Sequence, residues 1–167
     1  MEYFIDFQAF RKPHQDFVIK EMAVLNPAKK VLEFYVFKPP FEWDLLPIKY
    51  KVENRWLEHH CIHRSWVSGE IEYGELFKII QNLSQAKKIY VIGDEKFKWL
   101  NRYLKNLWKV ESNHFCKTNE IKRINHISCK NDFKKIDHNC ISCNINQIYI
   151  SHVCTIYKSK GEINKNE

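Results

Sequence analysis

The 167-residue chain is short of glycine and proline, with 4 and 5 respectively. That leaves little material for flexible linkers, collagen-like repeats or long low-complexity tracts. No apolar run approaches the roughly 20 residues that a membrane span needs. Met1–Phe10 has no basic stretch followed by an apolar run and a small-residue cleavage site, so it does not read as a secretory leader. A soluble cytoplasmic or nuclear protein with no membrane partner is the expectation. In those compartments the six cysteines are expected as thiols or metal ligands rather than disulfides.

What is present is core-forming material. Hydrophobic residues make up 44% of the chain and aromatics 14%, which argues for one packed domain and against disorder. The net charge is +7, unevenly spread. Residues 1–82 hold 11 basic and 12 acidic side chains, whereas residues 83–167 hold 16 and 8. A one-sided positive field fits a polyanion, nucleic acid above all, although a lysine-rich solvated surface has the same composition.

The apolar patterning predicts strands at Tyr3–Phe10, Phe17–Leu25 and Val31–Lys38, the last stopped by Pro39-Pro40. A helix is expected within Lys49–His59 and another over Tyr73–Leu83. Lys88–Ile92 reads as a strand, Glu95–Leu107 as an amphipathic helix and Trp108–Val110 as a short fifth strand. Cys140–Tyr157 returns to a helical pattern with Ile141, Ile145, Ile148 and Val153 inward. This order predicts an α/β domain over residues 1–158, with a mixed five-stranded sheet flanked by helices. Residues 159–167 form a charged tail.

Residues 112–143 carry His114, Cys116, His126, Cys129, His138, Cys140 and Cys143 in a polar stretch. Zinc takes four such ligands in a tetrahedron, and a segment poor in apolar area gains order from a metal staple. Cys140-x-x-Cys143 is a half-site, with Cys116 a further candidate, while Cys61 and Cys154 read as core thiols. His59-His60-x-x-His63 reads as a polar loop after a helix, with one imidazole packed on Trp66. Lys96 reads as a solvated helix residue.

The element order, with Ile5-Asp6-Phe7-Gln8 on the first strand, resembles the RNase H-like fold of DnaQ-type exonucleases. Those enzymes hold two divalent metals with four carboxylates, starting from Asp-x-Glu on the first strand. Here Asp6 matches the first acid, but Gln8 stands at the second. Asp94 and Glu95 come early for the next acid, with Lys96 behind them, and Asn144 stands at the last. A two-metal centre needs those negative charges. The resemblance therefore implies the fold, with no Mg²⁺ expected and the catalytic residues unknown beyond these remnants.

The chain also resembles the Maelstrom domain and related uncharacterised arthropod proteins, over most of residues 3–157. That domain has the same fold without the acidic tetrad, and keeps a zinc held by Glu, Cys, His and Cys. The resemblance implies a structural zinc on Glu21, Cys129, His138 and Cys140. Asp132 stands at the usual His position, with His126 as another substitute. It further implies a nucleic-acid partner, single-stranded RNA. Lys98, Arg102, Lys105, Lys122 and Arg123 are the expected contacts, and Lys98-Trp99 beside Arg102-Tyr103 is a candidate for base stacking. Two alternatives stand beside this reading: an active single-strand RNA nuclease without the tetrad, and a protein-interaction domain.

Overall fold

The computed structural model describes residues 1–29 and 31–110. The expected helix Cys140–Tyr157 and tail therefore lie outside the described residues. So do Cys116, Lys122, Arg123, His126, Cys129, Asp132, His138, Cys140, Cys143, Asn144 and Cys154.

The two longest strands come from the two most continuous apolar runs, β1 at Glu2–Lys12 and β2 at Asp16–Asn26. Pro13–Gln15 joins them, and His14 and Gln15 both take positive φ, which matches the twist of a tight hairpin. β3, Val31–Val36, adds to β2 antiparallel. β4, Lys88–Ile92, runs parallel to β1, and β5, Leu107–Val110, parallel to β4. The sheet order is β3-β2-β1-β4-β5. The first three strands are antiparallel and the fourth lies beside the first, which makes the sheet mixed as expected. Asp6 sits on the central strand.

β1 and β2 are buried on both faces, which explains why alternation is weak in their sequences. One face places Ile5, Phe7, Ile19, Met22, Ile89 and Val91 against two helices. These are α2, Glu75–Leu83, through Leu76, Ile80 and Leu83, and α3, Asp94–Leu100, through Trp99 and Leu100. The other face gathers Phe4, Ala23, Leu25 and Tyr90. At its hairpin end, Phe10 and Val18 meet Leu46, Ile62 and Trp66. Each large apolar side chain so buried contributes roughly 1.5–3 kcal/mol.

Helix α1 spans Ile48–Leu57 and is tied to β1 by a reciprocal pair. Arg11 N–H donates to Asn54 Oδ1 at 2.7 Å, and Asn54 Nδ2 donates to Arg11 O at 2.8 Å. A π turn over Glu58–Ile62 extends the helix and ends at His63, φ 55°. The three-histidine segment is therefore mostly helical. His60 stacks on Trp56 at 4.7 Å and not on Trp66, because Trp66 packs among Phe10, Phe41 and Trp43. Cys61 is half-buried against that same cluster.

Two glycines are required by geometry. Gly69 has φ 136°, and a Cβ there would lie 2.4 Å from the Phe37 carbonyl carbon. Gly93, φ 96°, turns β4 sharply into α3. Helix α3 is much shorter than the expected Glu95–Leu107. It ends at Leu100 in a turn closed by Tyr103 and Leu104 N–H groups on the Leu100 carbonyl. The physical reason is the ladder: Leu107 pairs with Ile89, so the helix must stop early enough for the chain to join the sheet.

Among the described residues no helix is long and apolar enough to cross a membrane.

Candidate functional site

The β1–β4 ladder runs from Glu2↔Lys88 to Phe4↔Tyr90. Two residues further on, β4 ends at Ile92 while β1 continues through Asp6 to Gln8. From this seam the chain departs toward β2 on one side and β5 on the other. In open α/β sheets such a switch point, at the carboxyl ends of parallel strands, is where ligands bind.

Asp6 is fully buried at the seam. Gly93 reverses the chain there, so the first turn of α3 leans back over β1. Lys96 Nζ donates to Asp6 Oδ1 at 2.5 Å, and its ammonium lies 5.7 Å from the Phe7 ring centre. Lys96 is thus no solvated surface residue: its side chain is 31% exposed and its charge is committed to Asp6. The pair spans 90 positions of sequence. Helical periodicity marks only which side of α3 is apolar, so Lys96 read as solvent-facing.

The other remnant acids hold cations of their own. Asp94 accepts from Lys109 at 2.8 Å, and this contact holds its carboxyl below the usual range. Glu95 accepts from Arg11 at 2.9 Å. Gln8 lies opposite Glu21 in the β1–β2 ladder. One buried carboxylate already bonded to an ammonium does not fit a divalent cation, which requires several anionic oxygens.

Next to Glu21 the ladder breaks. Gln8 pairs with Glu21 and Ala9 with Ile19, so Lys20 is an extra residue, a β-bulge. The Lys20 side chain is buried, and its ammonium donates to three backbone carbonyls: Phe37 at 3.0 Å, Trp66 at 2.8 Å, and Ser68. Burial pushes it down to about 8, with Arg64 adding to the effect and Glu21 and Glu58 opposing it. Glu21 is also buried and accepts from Arg64 Nε. Burial raises its carboxyl above the ordinary value against the pull of Arg64, Lys20 and His63. Glu21, the one expected zinc ligand within the described residues, is therefore already held between two cations. A dication there would meet like charge. No group of three or more potential ligands occurs among the described residues.

Of the expected nucleic-acid contacts, Lys98 and Lys105 are exposed. Arg102 is exposed too, but donates to Asp16 Oδ1 at 3.2 Å. Burial acts to raise the Asp16 carboxyl. The Phe17 N–H, Lys12 and the Trp99 indole outweigh it and hold the group low. Trp99 is only 3% exposed and packs against Phe7 and Tyr103, so the expected stacking surface at Lys98-Trp99 is core.

The exposed indole on this side of the chain is instead Trp108, with Lys88 Nζ 4.5 Å from its ring centre. Sequence reasoning passed over both, because a Trp in a short strand reads as core. The register was the missing signal: Trp108 pairs with Tyr90 on the edge strand β5 of the described sheet. No protein-family model, curated protein or solved structure matches this chain.

Proposed function

We propose that this chain is a nucleic-acid-binding domain, directed to single-stranded RNA, on a degenerate RNase H-like sheet. The observation that carries the binding reading is an uncompensated basic stretch. Residues 83–110 hold seven basic side chains and two acids, Asp94 and Glu95. Both acids are engaged by cations, Lys109 and Arg11. Lys87 and Lys105 remain exposed and form no ion pair among the described residues, and the exposed Lys98 shares Asp94 with Lys109. Phosphates supply the charge that this surface lacks.

The fold part of the reading is supported by the strand order and by an acid on the central strand beside β4. The loss of exonuclease chemistry is supported by Lys96 on Asp6. A structural zinc remains part of the proposal through Cys129, His138 and Cys140, on the ligand density of their segment. Glu21 is not open to that metal while Arg64 holds it.

Affinity for single-stranded RNA is expected to fall about thirty-fold between ~50 and ~200 mM salt, because three or four phosphate contacts each release counterions. A gel-shift series measures it, and absence of binding at the lowest salt defeats the proposal. Shortening of the labelled strand with Mg²⁺ would instead favour the nuclease alternative.

A second reading, a protein-interaction domain, is favoured by one specific surface. Ile48, Val52 and Trp56 follow a helical period along α1, Leu45 lies in the short 3-10 turn before it, and each is more than half exposed. Isolated exposed apolar residues are ordinary, but a contiguous stripe is an interaction surface. Its flanks mix Asp44, Glu53 and Glu58 with Lys49, Lys51 and Arg55. A stripe with an apolar centre and flanks of both signs fits a second copy in a two-fold contact, where the same patch faces itself. The wild-type chain is expected to sediment as a dimer at micromolar concentration and Ile48→Asp as a monomer. A monomeric wild type removes this reading.

A further inference from the structure

β4 and β5 begin side by side. Ile89 pairs with Leu107, and the Ile89 N–H donates to the Asn106 carbonyl at 3.0 Å. Asn106 Nδ2 in turn donates to the Ala86 carbonyl. Two residues before that pair on each strand stand Lys87 and Lys105, both exposed. One residue before Ile89 is Lys88, and one residue after Leu107 is Trp108.

Strand alternation then sorts the side chains. Ile89 and Val91 point into the core shared with α2 and α3. Lys88, Tyr90 and Trp108 therefore share the opposite face. Tyr90 is buried and stacked on Phe4 at 4.8 Å, while Trp108 is 53% exposed. The Lys88 ammonium sits 4.5 Å from the indole centre, so the ring is held and polarised by a cation. The result is a flat aromatic surface on a strand backbone, with Lys88 against the ring and the exposed Lys87 and Lys105 ahead of the two strand starts.

We propose that Trp108 is a stacking platform for one base of a single-stranded nucleic acid, with Lys87, Lys88 and Lys105 taking the neighbouring phosphates. This rests on the nucleic-acid reading above and adds where and how the strand is held. Single-strand binders combine these two elements: an aromatic face that accepts any base, and cations that track the backbone. A rigid strand presents the ring at little entropic cost. A duplex keeps its bases stacked inside, so it gains only the charge contacts.

The test uses the full chain and an oligouridylate of about 12 nucleotides. Trp56, the other strongly exposed indole, is first replaced by Phe so that fluorescence changes report on Trp108. Saturable quenching on titration is expected. Trp108→Ala is expected to weaken binding about ten-fold and Trp108→Phe only two- to three-fold. Binding of a matched duplex should be unchanged in both. Lys88→Met should weaken strand and duplex alike, with a smaller salt slope.

If Trp108→Ala binds the oligouridylate as tightly as its parent, the platform is wrong although the nucleic-acid reading survives. The same holds if the parent binds without quenching. If the parent binds no strand at low salt, both fail together. Quenching by polyglutamate and not by RNA would assign the surface to an acidic protein partner and overturn the platform. Because quenching is read on a protein with Trp108 intact, the outcome does not depend on the stability of the Trp108 variants.

Discussion

Lys20→Met is expected to cost about 3–4 kcal/mol of folding stability, read as a lowered urea midpoint. Methionine matches the lysine stem in volume, so packing is nearly conserved. What disappears is the donor shared by the Phe37, Trp66 and Ser68 carbonyls. A buried carbonyl without a donor costs roughly 1–3 kcal/mol, and three are exposed to that loss at once. The same ammonium joins the β2 bulge to the end of β3 and to the loop behind the π turn. Loop 63–69 is therefore expected to exchange its amide hydrogens faster in the variant.

Lys20 also sets a pH dependence with a definite sign. In the folded chain burial holds its proton affinity down at about 8, against 10.5 when unfolded. Between those values the unfolded chain binds more protons, so stability rises with pH across that window. Below 8 the full cost of keeping the ammonium buried is present. The full span of that shift corresponds to a rise of up to about 3 kcal/mol. Above pH ~10 the trend reverses. Burial raises Tyr73 to about 12 and lifts Tyr35 and Tyr90 as well, so unfolded tyrosines ionise first. Urea midpoints from pH 7 to 11 should pass through a maximum in the wild type. A curve flat between 8 and 10 in the wild type contradicts the assignment, and Lys20→Met should remove the rise.

Lys96→Met is expected to cost about 2–3 kcal/mol, a little below the range for breaking a fully buried pair, because part of the lysine is in water. The Asp6 carboxylate keeps its burial and loses the ammonium at 2.5 Å. Adding Asp6→Asn to that variant should restore most of the loss, since the amide carries no charge to compensate. Asp6→Asn alone should cost less than Lys96→Met, because Lys96 has a route to solvent. RNA affinity should be unchanged in all three, as neither residue belongs to the exposed basic surface. A Lys96→Met protein as stable as wild type would show that the pair contributes nothing to the fold. Tight Mg²⁺ binding by that variant would show that the lysine had been blocking a working metal site.

Much of the scaffold was legible in the residues because strand signals are local. The near-continuous apolar runs of β1 and β2, the Pro39-Pro40 stop, and Ile-Tyr-Val-Ile before Gly93 each act within a few residues. Expected strand bounds fell within one or two residues of those found. The α2 stripe was equally clear, since Leu76, Ile80 and Leu83 repeat at helical spacing. Asp6 was legible on the first strand, and the strand order set that strand at the centre.

The charged groups escaped that reading, because their roles depend on partners far away in sequence. Lys20 looked like one polar residue within a strand, and only the register slip at Gln8/Ala9 turns it inward toward three carbonyls. Lys96 looked solvated until the Gly93 turn set it over Asp6. Trp99 and Trp108 exchanged roles, the first drawn into the core by α3 and the second left at the edge of the described sheet by the pairing of β5 with β4. The amino-acid sequence by itself determined the strands, the main helical stripe and the surplus of positive charge, because periodicity and composition are properties of neighbours along the chain. Only the tertiary structure decided which charges are spent on one another, where α3 stops and which indole meets water. Those outcomes depend on register and burial, and both arise when segments 40 to 90 residues apart come into contact.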